Sequence, residues 1–160
     1  MAEVFILLGG NVGDKHKIFE ETRGLVAERI GKLKNVSSIY VTESWGFKSE
    51  PFWNQVLIVE TSLLPTETLD QGQTIEKLMG RIRLSDHYES RTMDIDLLFY
   101  DDLCLNTQLL TLPHPGIGDR KFVLVPLNEI APQKLHPVTG ISVNAMLLNC
   151  QDNLKVERIL

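Results

Sequence analysis

The sequence predicts an α+β fold, an antiparallel sheet with helices packed on it, and three observations carry that prediction. Apolar runs short enough for strands alternate with two segments of helical periodicity. Their order is strand, helix, strand, strand, helix, strand. No linker or composition shift divides the chain, so residues 1–160 read as one domain around one core.

Each element has its own signal. VFILLGG (4–10) reads as a buried first strand stopped by paired glycines. Asp14 fits a helix N-cap, and the helix runs to Ile30 with Ile18, Phe19, Leu25, Val26 and Ile30 on one broad face. Gly31 suits its end. NVSSIYVTE (35–43) is β-branched and predicts a strand, and NQVLIVETSL (54–63) predicts the next, with a long aromatic loop between them. Pro65 suits the first position of a second helix, whose buried face takes Leu69, Ile75, Leu78, Met79 and Ile82. TMDIDLLFY (92–100) is the fourth strand. This order is the ferredoxin-like βαββαβ plan. Beyond Asp101 a Pro-rich turn, the apolar FVLVPLNEIAP and a short helix over SVNAMLLNC form a C-terminal extension packed on the same sheet.

Composition excludes several classes of function. A formal net charge of −5 argues against a nucleic-acid binder. No apolar run approaches the ~18 residues of a membrane span, and the N-terminus lacks a charged signal-peptide start, so a cytoplasmic protein with no membrane partner is expected. Cys104 and Cys150 have no metal-type spacing and read as reduced thiols. Neither a phosphate-binding GxxxxGK[ST] loop nor a GxGxxG turn occurs.

The stretch SRTMDIDLLFYDD (90–102) carries the chemistry. Strand alternation sends Asp94 and Asp96 to one face and Ile95, Leu97 and Phe99 to the other. Two carboxylates so spaced, roughly 6.5–7 Å apart at Cα, repel by about 2.5 kcal/mol at an effective dielectric near 20. A sheltered pair therefore calls for a cation, and Mg²⁺ takes one or two carboxylates with water and phosphate oxygens. A solvated pair, or one bridged by Arg91, is the plainer alternative. Gln73 and Glu76 share a helix face distinct from the apolar one and predict a polar wall. Arg81, Arg83 and Arg91 supply guanidinium forks suited to phosphate. His114 is held between two prolines, with Arg120 close behind. Trp45, Phe47, Phe52 and Trp53 lead into Asn54, a combination suited to a flat heterocycle.

Together these residues resemble the 6-hydroxymethyl-7,8-dihydropterin pyrophosphokinases of the folate pathway. The resemblance runs through GGN (9–11), FWNQVLIVET, the Gln73/Glu76 helix, GRIR (80–83), RTMDIDLL, LPHP (112–115) and RKFVLVPLNEIAP. It implies the ferredoxin-like fold and transfer of pyrophosphate from ATP to the pterin hydroxymethyl group, leaving AMP. It also implies that Asp94 and Asp96 bind two Mg²⁺ ions, with Asp96 near the substrate hydroxyl. Arg81, Arg91 and His114 would hold the triphosphate and, with Asp96, form the catalytic set. Gln73, Glu76, Arg83, Tyr88, Thr111 and Arg120 would line the nucleotide side. Asn54 would hydrogen-bond a pterin stacked between Phe52 and Phe122, helped by the backbone near Thr42 and Gly46. Gly10, Tyr88-Glu89-Ser90, Gly116 and Phe52 depart from the family pattern, and Glu89 brings an acid toward polyphosphate. A monomer is expected. Two rival readings are a metal-dependent nucleotidyl transferase and a non-catalytic ferredoxin-like ligand-binding module.

Overall fold

Strand β1 (Ala2–Gly10) organises the molecule by pairing antiparallel on both edges, with β4 (Phe52–Thr61) on one side and β7 (Asp94–Tyr100) on the other. The computed structural model describes residues 1–42, 51–80 and 92–159, together with the backbone of 82–83 and 89–90. Val4, Ile6 and Leu8 face one side of the sheet, while Phe5 and Leu7 face the other, and all five are buried. A strand covered on both faces reads as a continuous apolar run, which is what VFILL supplies.

The sheet order is β10–β3–β4–β1–β7, where β3 is Tyr40–Thr42 and β10 is Val156–Arg158. β2 (Lys32–Val36) also pairs with β4. The single strand expected over 35–43 is thus two shorter ones sharing one edge of β4. β2 lies along Leu57–Glu60 and β3 along Phe52–Asn54. Between them Ser37 takes over the pairing, its hydroxyl accepting from Val56 N–H (2.9 Å) and its carbonyl from the Gln55 amide (2.8 Å).

Two helices cover the first face. α1 (Lys15–Arg29) starts at Asp14, whose carboxylate accepts from Lys17 N–H (3.3 Å), and buries Phe19, Thr22 and Val26. α2 (Pro65–Leu78) has Pro65 in its first turn, and Glu67 reaches back to accept from Leu64 N–H (2.8 Å). Its buried stripe is Thr68, Gly72, Ile75 and Glu76, with Leu69 and Met79 packed at the margin. Leu78, expected in the core, is 55% exposed, because the helix ends there and the chain turns at Gly80 with φ +92. Ile82 lies beyond the helix, in the β5 (Ile82–Arg83) ladder with β6 (Glu89–Ser90).

The C-terminal extension covers the second face, as expected. α3 (Lys121–Ile130) buries Val123, Leu124 and Leu127 against Phe5, Val56 and Ile58, and α4 (Val143–Leu148) adds Val143 and Met146. Glu129 ties α3 to β3 by accepting from the Tyr40 hydroxyl (2.7 Å) and Ser38 N–H (3.0 Å). Burial pushes the Glu129 carboxyl up, but these donors outweigh it and hold it below the ordinary range. The same pairing and burial push the Tyr40 phenol up to about 12. A hairpin of β8 (Leu105–Asn106) and β9 (Thr111–Leu112) leads into the His114 turn.

One expectation about β7 is corrected. Its ladder with β1 shifts register, so that Phe5 pairs with Phe99 and Ile6 with Leu97, leaving Leu98 as the extra residue. Phe99 therefore joins Leu98, Phe5 and Leu7 in the second core instead of following Ile95 and Leu97 into the first.

Gly31 also serves a purpose other than the one expected of a helix end. Its φ is not left-handed; a Cβ there would run into the Glu60 carbonyl oxygen and lie 2.9 Å from its carbon. The glycine lets the chain leaving α1 cross the end of β4 at backbone contact. Gly31→Ala should cost about 2–3 kcal/mol, measured by urea denaturation. A loss below about 0.5 kcal/mol would show that the crossing has slack.

Candidate active site

Register along the central strands brings distant residues into one row. Asn54 of β4 is opposite Gly9 of β1, and Gly9 is opposite Asp94 of β7. Two residues inward, Val56, Leu7 and Asp96 form the next row. Strand alternation puts Asn54, Gly9, Asp94 and Asp96 on the face of Leu7 and Val56, which is the α3 side. Phe52 and Thr42, themselves paired, extend this face at the far edge of β4. The apolar core of the second face thus ends in a polar shelf.

Each shelf residue has a local reason for its position. Asn54 is 5% exposed and its Nδ2 donates to the Leu8 carbonyl (3.3 Å). A Cβ on Gly9 would lie 2.8 Å from that Nδ2, so the missing side chain is what admits the amide. A Cβ on Gly10 would meet the Thr92 carbonyl oxygen at 2.5 Å, which brings the entry to β7 against β1. The Gly9-Gly10 pair is therefore a packing device at the site's floor. Phe52 is 40% exposed and presents a ring at the rim. Thr42 is buried, and its hydroxyl has no hydrogen-bond partner among the described residues.

Asp94 is half-buried and Asp96 exposed on this shelf, as their alternation predicts. His114 is brought to them by the bulge: its N–H donates to the Leu98 carbonyl (2.9 Å). The His114 Nδ1 accepts from Gly116 N–H (3.0 Å), so the neutral ring carries its proton on Nε2. Burial pushes the imidazole below its ordinary value. Asp96 pulls it upward and Arg120 pushes it down again, which puts His114 within the electrostatic reach of both. Arg120 lies across Gly116, where a Cβ would meet its Nε at 3.1 Å, and its guanidinium carbon is 5.9 Å from the Phe122 ring centre. Beside His114 and Thr111 a cleft of about 420 Å³ opens, floored by Leu105, Leu112 and Pro113.

The structure separates Gln73 from Glu76. Gln73 is exposed, but Glu76 is 6% exposed and accepts from Ile95 N–H (2.8 Å), so the expected polar wall has only one member at the surface. Arg81, Tyr88, Arg91 and Gly46 lie outside the described residues, and Arg83 is described only in its backbone. Asp152 escaped sequence reasoning altogether. Its carboxylate accepts from Lys121 N–H (3.0 Å) and Leu154 N–H (2.9 Å), capping the first turn of α3 beside Arg120 and Phe122. Those two backbone donors hold it below the ordinary carboxylate range. No local signal could have found a cap supplied from 31 residues away.

Residues 5–132 match the family model for 7,8-dihydro-6-hydroxymethylpterin-pyrophosphokinase (HPPK). The chain is 38% identical over 141 residues to a 2-amino-4-hydroxy-6-hydroxymethyldihydropteridine pyrophosphokinase of Porphyromonas gingivalis, covering 86% of this chain and 95% of that one. A protein of the same description from Aquifex aeolicus is 37% identical, with 86% of each chain covered. Among solved structures, Plasmodium falciparum HPPK-DHPS with pteroate superposes at a TM-score of 0.74 and 16% identity, over 92% of this chain and 42% of that one. This chain therefore spans less than half of that longer protein, and the likeness shows the fold.

The charges around His114 make a solution prediction. Its ring should titrate below a free histidine and be neutral at pH 7. Asp96→Asn should lower the midpoint further, and Arg120→Ala should raise it. With a depressed folded value, the ring's contribution to stability is present above the free-histidine range and fades as pH falls through the folded midpoint. Ring-proton NMR titrations read each shift, and movements in the opposite directions would remove Asp96 and Arg120 from the ring's surroundings.

Proposed function

The chain belongs to the 7,8-dihydro-6-hydroxymethylpterin-pyrophosphokinase family, and from that premise we propose a specific reaction. It transfers the pyrophosphoryl group of ATP to the hydroxymethyl group of 6-hydroxymethyl-7,8-dihydropterin, releasing AMP, in folate biosynthesis. The observation that carries this reading is the row Asn54–Gly9–Asp94 across three adjacent strands. At two strand spacings, roughly 10 Å, a flat heterocycle held at Asn54 places a one-carbon arm near the acidic pair.

Asn54 hydrogen-bonds the pterin edge, and Phe52 and Phe122 stack on its faces. The buried hydroxyl of Thr42, without a hydrogen-bond partner among the described residues, supports a polar ligand edge at this end of the shelf. Asp94 and Asp96 would hold the metal. The two aspartates offer hard carboxylate oxygens, and among the described residues no group of three or more His, Cys, Asp or Glu side chains converges. Mg²⁺ suits such a set because it fills its remaining positions with water and phosphate oxygens, and we propose two ions. When bound, the metal neutralises charge on the triphosphate.

The chain's own residues then orient an in-line displacement. Asp96 accepts a hydrogen bond from the pterin hydroxyl and aims its oxygen at the β-phosphorus. A new phosphorus–oxygen bond forms there as the bond from the β-phosphorus to the oxygen bridging the α-phosphate breaks; AMP departs with that electron pair, and the hydroxyl proton is released by way of the Asp96 carboxylate to water. His114 donates from Nε2 to a phosphate oxygen, a task for a neutral ring. Arg120, with Arg81 and Arg91, stabilises charge spread over the phosphates, while Gln73, Arg83, Tyr88 and Thr111 line the nucleotide. Thr42 and Gly46 add backbone contacts to the pterin. Among the described residues no helix is long and apolar enough to cross a membrane, and a cytoplasmic monomer acting on small molecules completes the proposal.

Incubation with Mg²⁺, ATP and the hydroxymethyl-dihydropterin should release AMP. Release of pyrophosphate instead would favour nucleotidyl transfer and overturn the reading. Asp96→Ala should reduce turnover about a thousandfold with pterin binding retained; near-normal turnover would remove Asp96 from its role. Gly9→Ala, by displacing the Asn54 amide, should raise KM for the pterin about tenfold, roughly the loss of one hydrogen bond. An unchanged KM would detach Asn54 from pterin recognition.

A further inference from the structure

Among the described residues β7 ends the strand order, and no further strand pairs with its outer edge. Ile95 is the residue between the two aspartates. It faces Leu8 across the β1 ladder, and its N–H donates to the Glu76 carboxylate on α2 at 2.8 Å. Glu76 is only 6% exposed. A carboxylate is costly to bury unless it is hydrogen-bonded, so its place beneath α2 demands a reason.

A second contact falls on the same residue. Gly72, one turn before Glu76, comes so close to the strand that a Cβ there would touch the Ile95 Cγ2 at 3.4 Å. α2 is thus docked on Ile95 at two points one helical turn apart, by a missing side chain and by a charged hydrogen bond. Both contacts fall on the residue between Asp94 and Asp96.

We propose that Glu76 is a positioning residue for the acidic pair. By clamping the Ile95 N–H it fixes the pleat of β7, and with it the spacing at which Asp94 and Asp96 present their oxygens to a divalent cation. The clamp opposes any twist that repulsion between the two carboxylates puts on the strand. Glu76 then acts through the strand and makes no contact with the nucleotide. The inference rests on the reading of Asp94 and Asp96 as metal-holding residues.

The test compares Glu76→Ala, Glu76→Asp and Glu76→Gln. Alanine removes the acceptor, aspartate is one methylene too short to reach, and glutamine keeps an oxygen for the Ile95 N–H. In metal-free protein, exchange of the Ile95 amide should accelerate at least tenfold in the first two variants and stay near wild type in the third. In AMP-release assays at saturating ATP and pterin, the Mg²⁺ concentration for half-maximal turnover should rise about tenfold in Ala and Asp, with glutamine recovering most of the wild-type response. If alanine does not fold, the Asp and Gln pair carries the same comparison. A raised KM for ATP with an unmoved Mg²⁺ response would make Glu76 a nucleotide ligand and overturn the proposal. So would lowered thermal stability with unchanged Mg²⁺ response. Asp94→Asn separates the two levels: an unmoved Mg²⁺ response there sinks the metal reading itself, whereas a shift there without one in Glu76→Ala sinks only the clamp.

Discussion

The double-sided ladder of β1 is the constraint on which the molecule depends. Because both its edges are paired, its register with β4 and with β7 determines which side chains of those two strands stand beside one another. Asn54 and Asp94 are 40 positions apart in the chain, yet one glycine separates them in the sheet. Its lack of a side chain admits the Asn54 amide at the end of the row. A one-residue slip would turn every polar group of the shelf into the core under α1 and α2.

The two faces of the sheet divide the work. On the first, Phe19, Val26 and Ile75 bury Val4, Ile6 and Leu8 of β1. On the second, Val123, Leu124 and Leu127 do the same for Phe5 and Val56, but that core stops short of the strand ends. The bulge at Leu98 marks the change. It turns Phe99 toward α3 and frees a carbonyl that the His114 N–H captures. One irregularity thus deepens the second core and brings an imidazole to the acidic strand.

Charge at the shelf is arranged locally in a chain that is acidic overall. Asp96 and Arg120 act on His114 in opposite senses, while burial favours its neutral form. The Gly116 N–H holds one ring nitrogen, and the open face of Gly116 receives the Arg120 guanidinium. Glycine at 116 therefore has a physical use in this chain.

Much of this was legible in the amino-acid order, because it depends on neighbours in the chain. The βαββαβ sequence of elements, Asp14 as a cap, Pro65 as a helix start and the shared face of Asp94 and Asp96 follow from periods of 3.6 and 2 and from local hydrogen bonds. Tertiary contact decided the rest. Glu76 looks like a surface residue until Ile95 presents an unpaired N–H, and Phe99 looks like a partner of Leu97 until the ladder slips at Leu98. Gly31 sits at the helix end as its type suggests, but the bar to any side chain there comes from the Glu60 carbonyl, and the place of Asp152 comes from the first turn of α3. The chain by itself specified which segments fold into strands and helices and which residues can bear charge. Packing alone settled which of those charges are buried, paired or displayed, because a hydrogen-bond partner or a steric limit tens of residues away leaves no trace in local pattern.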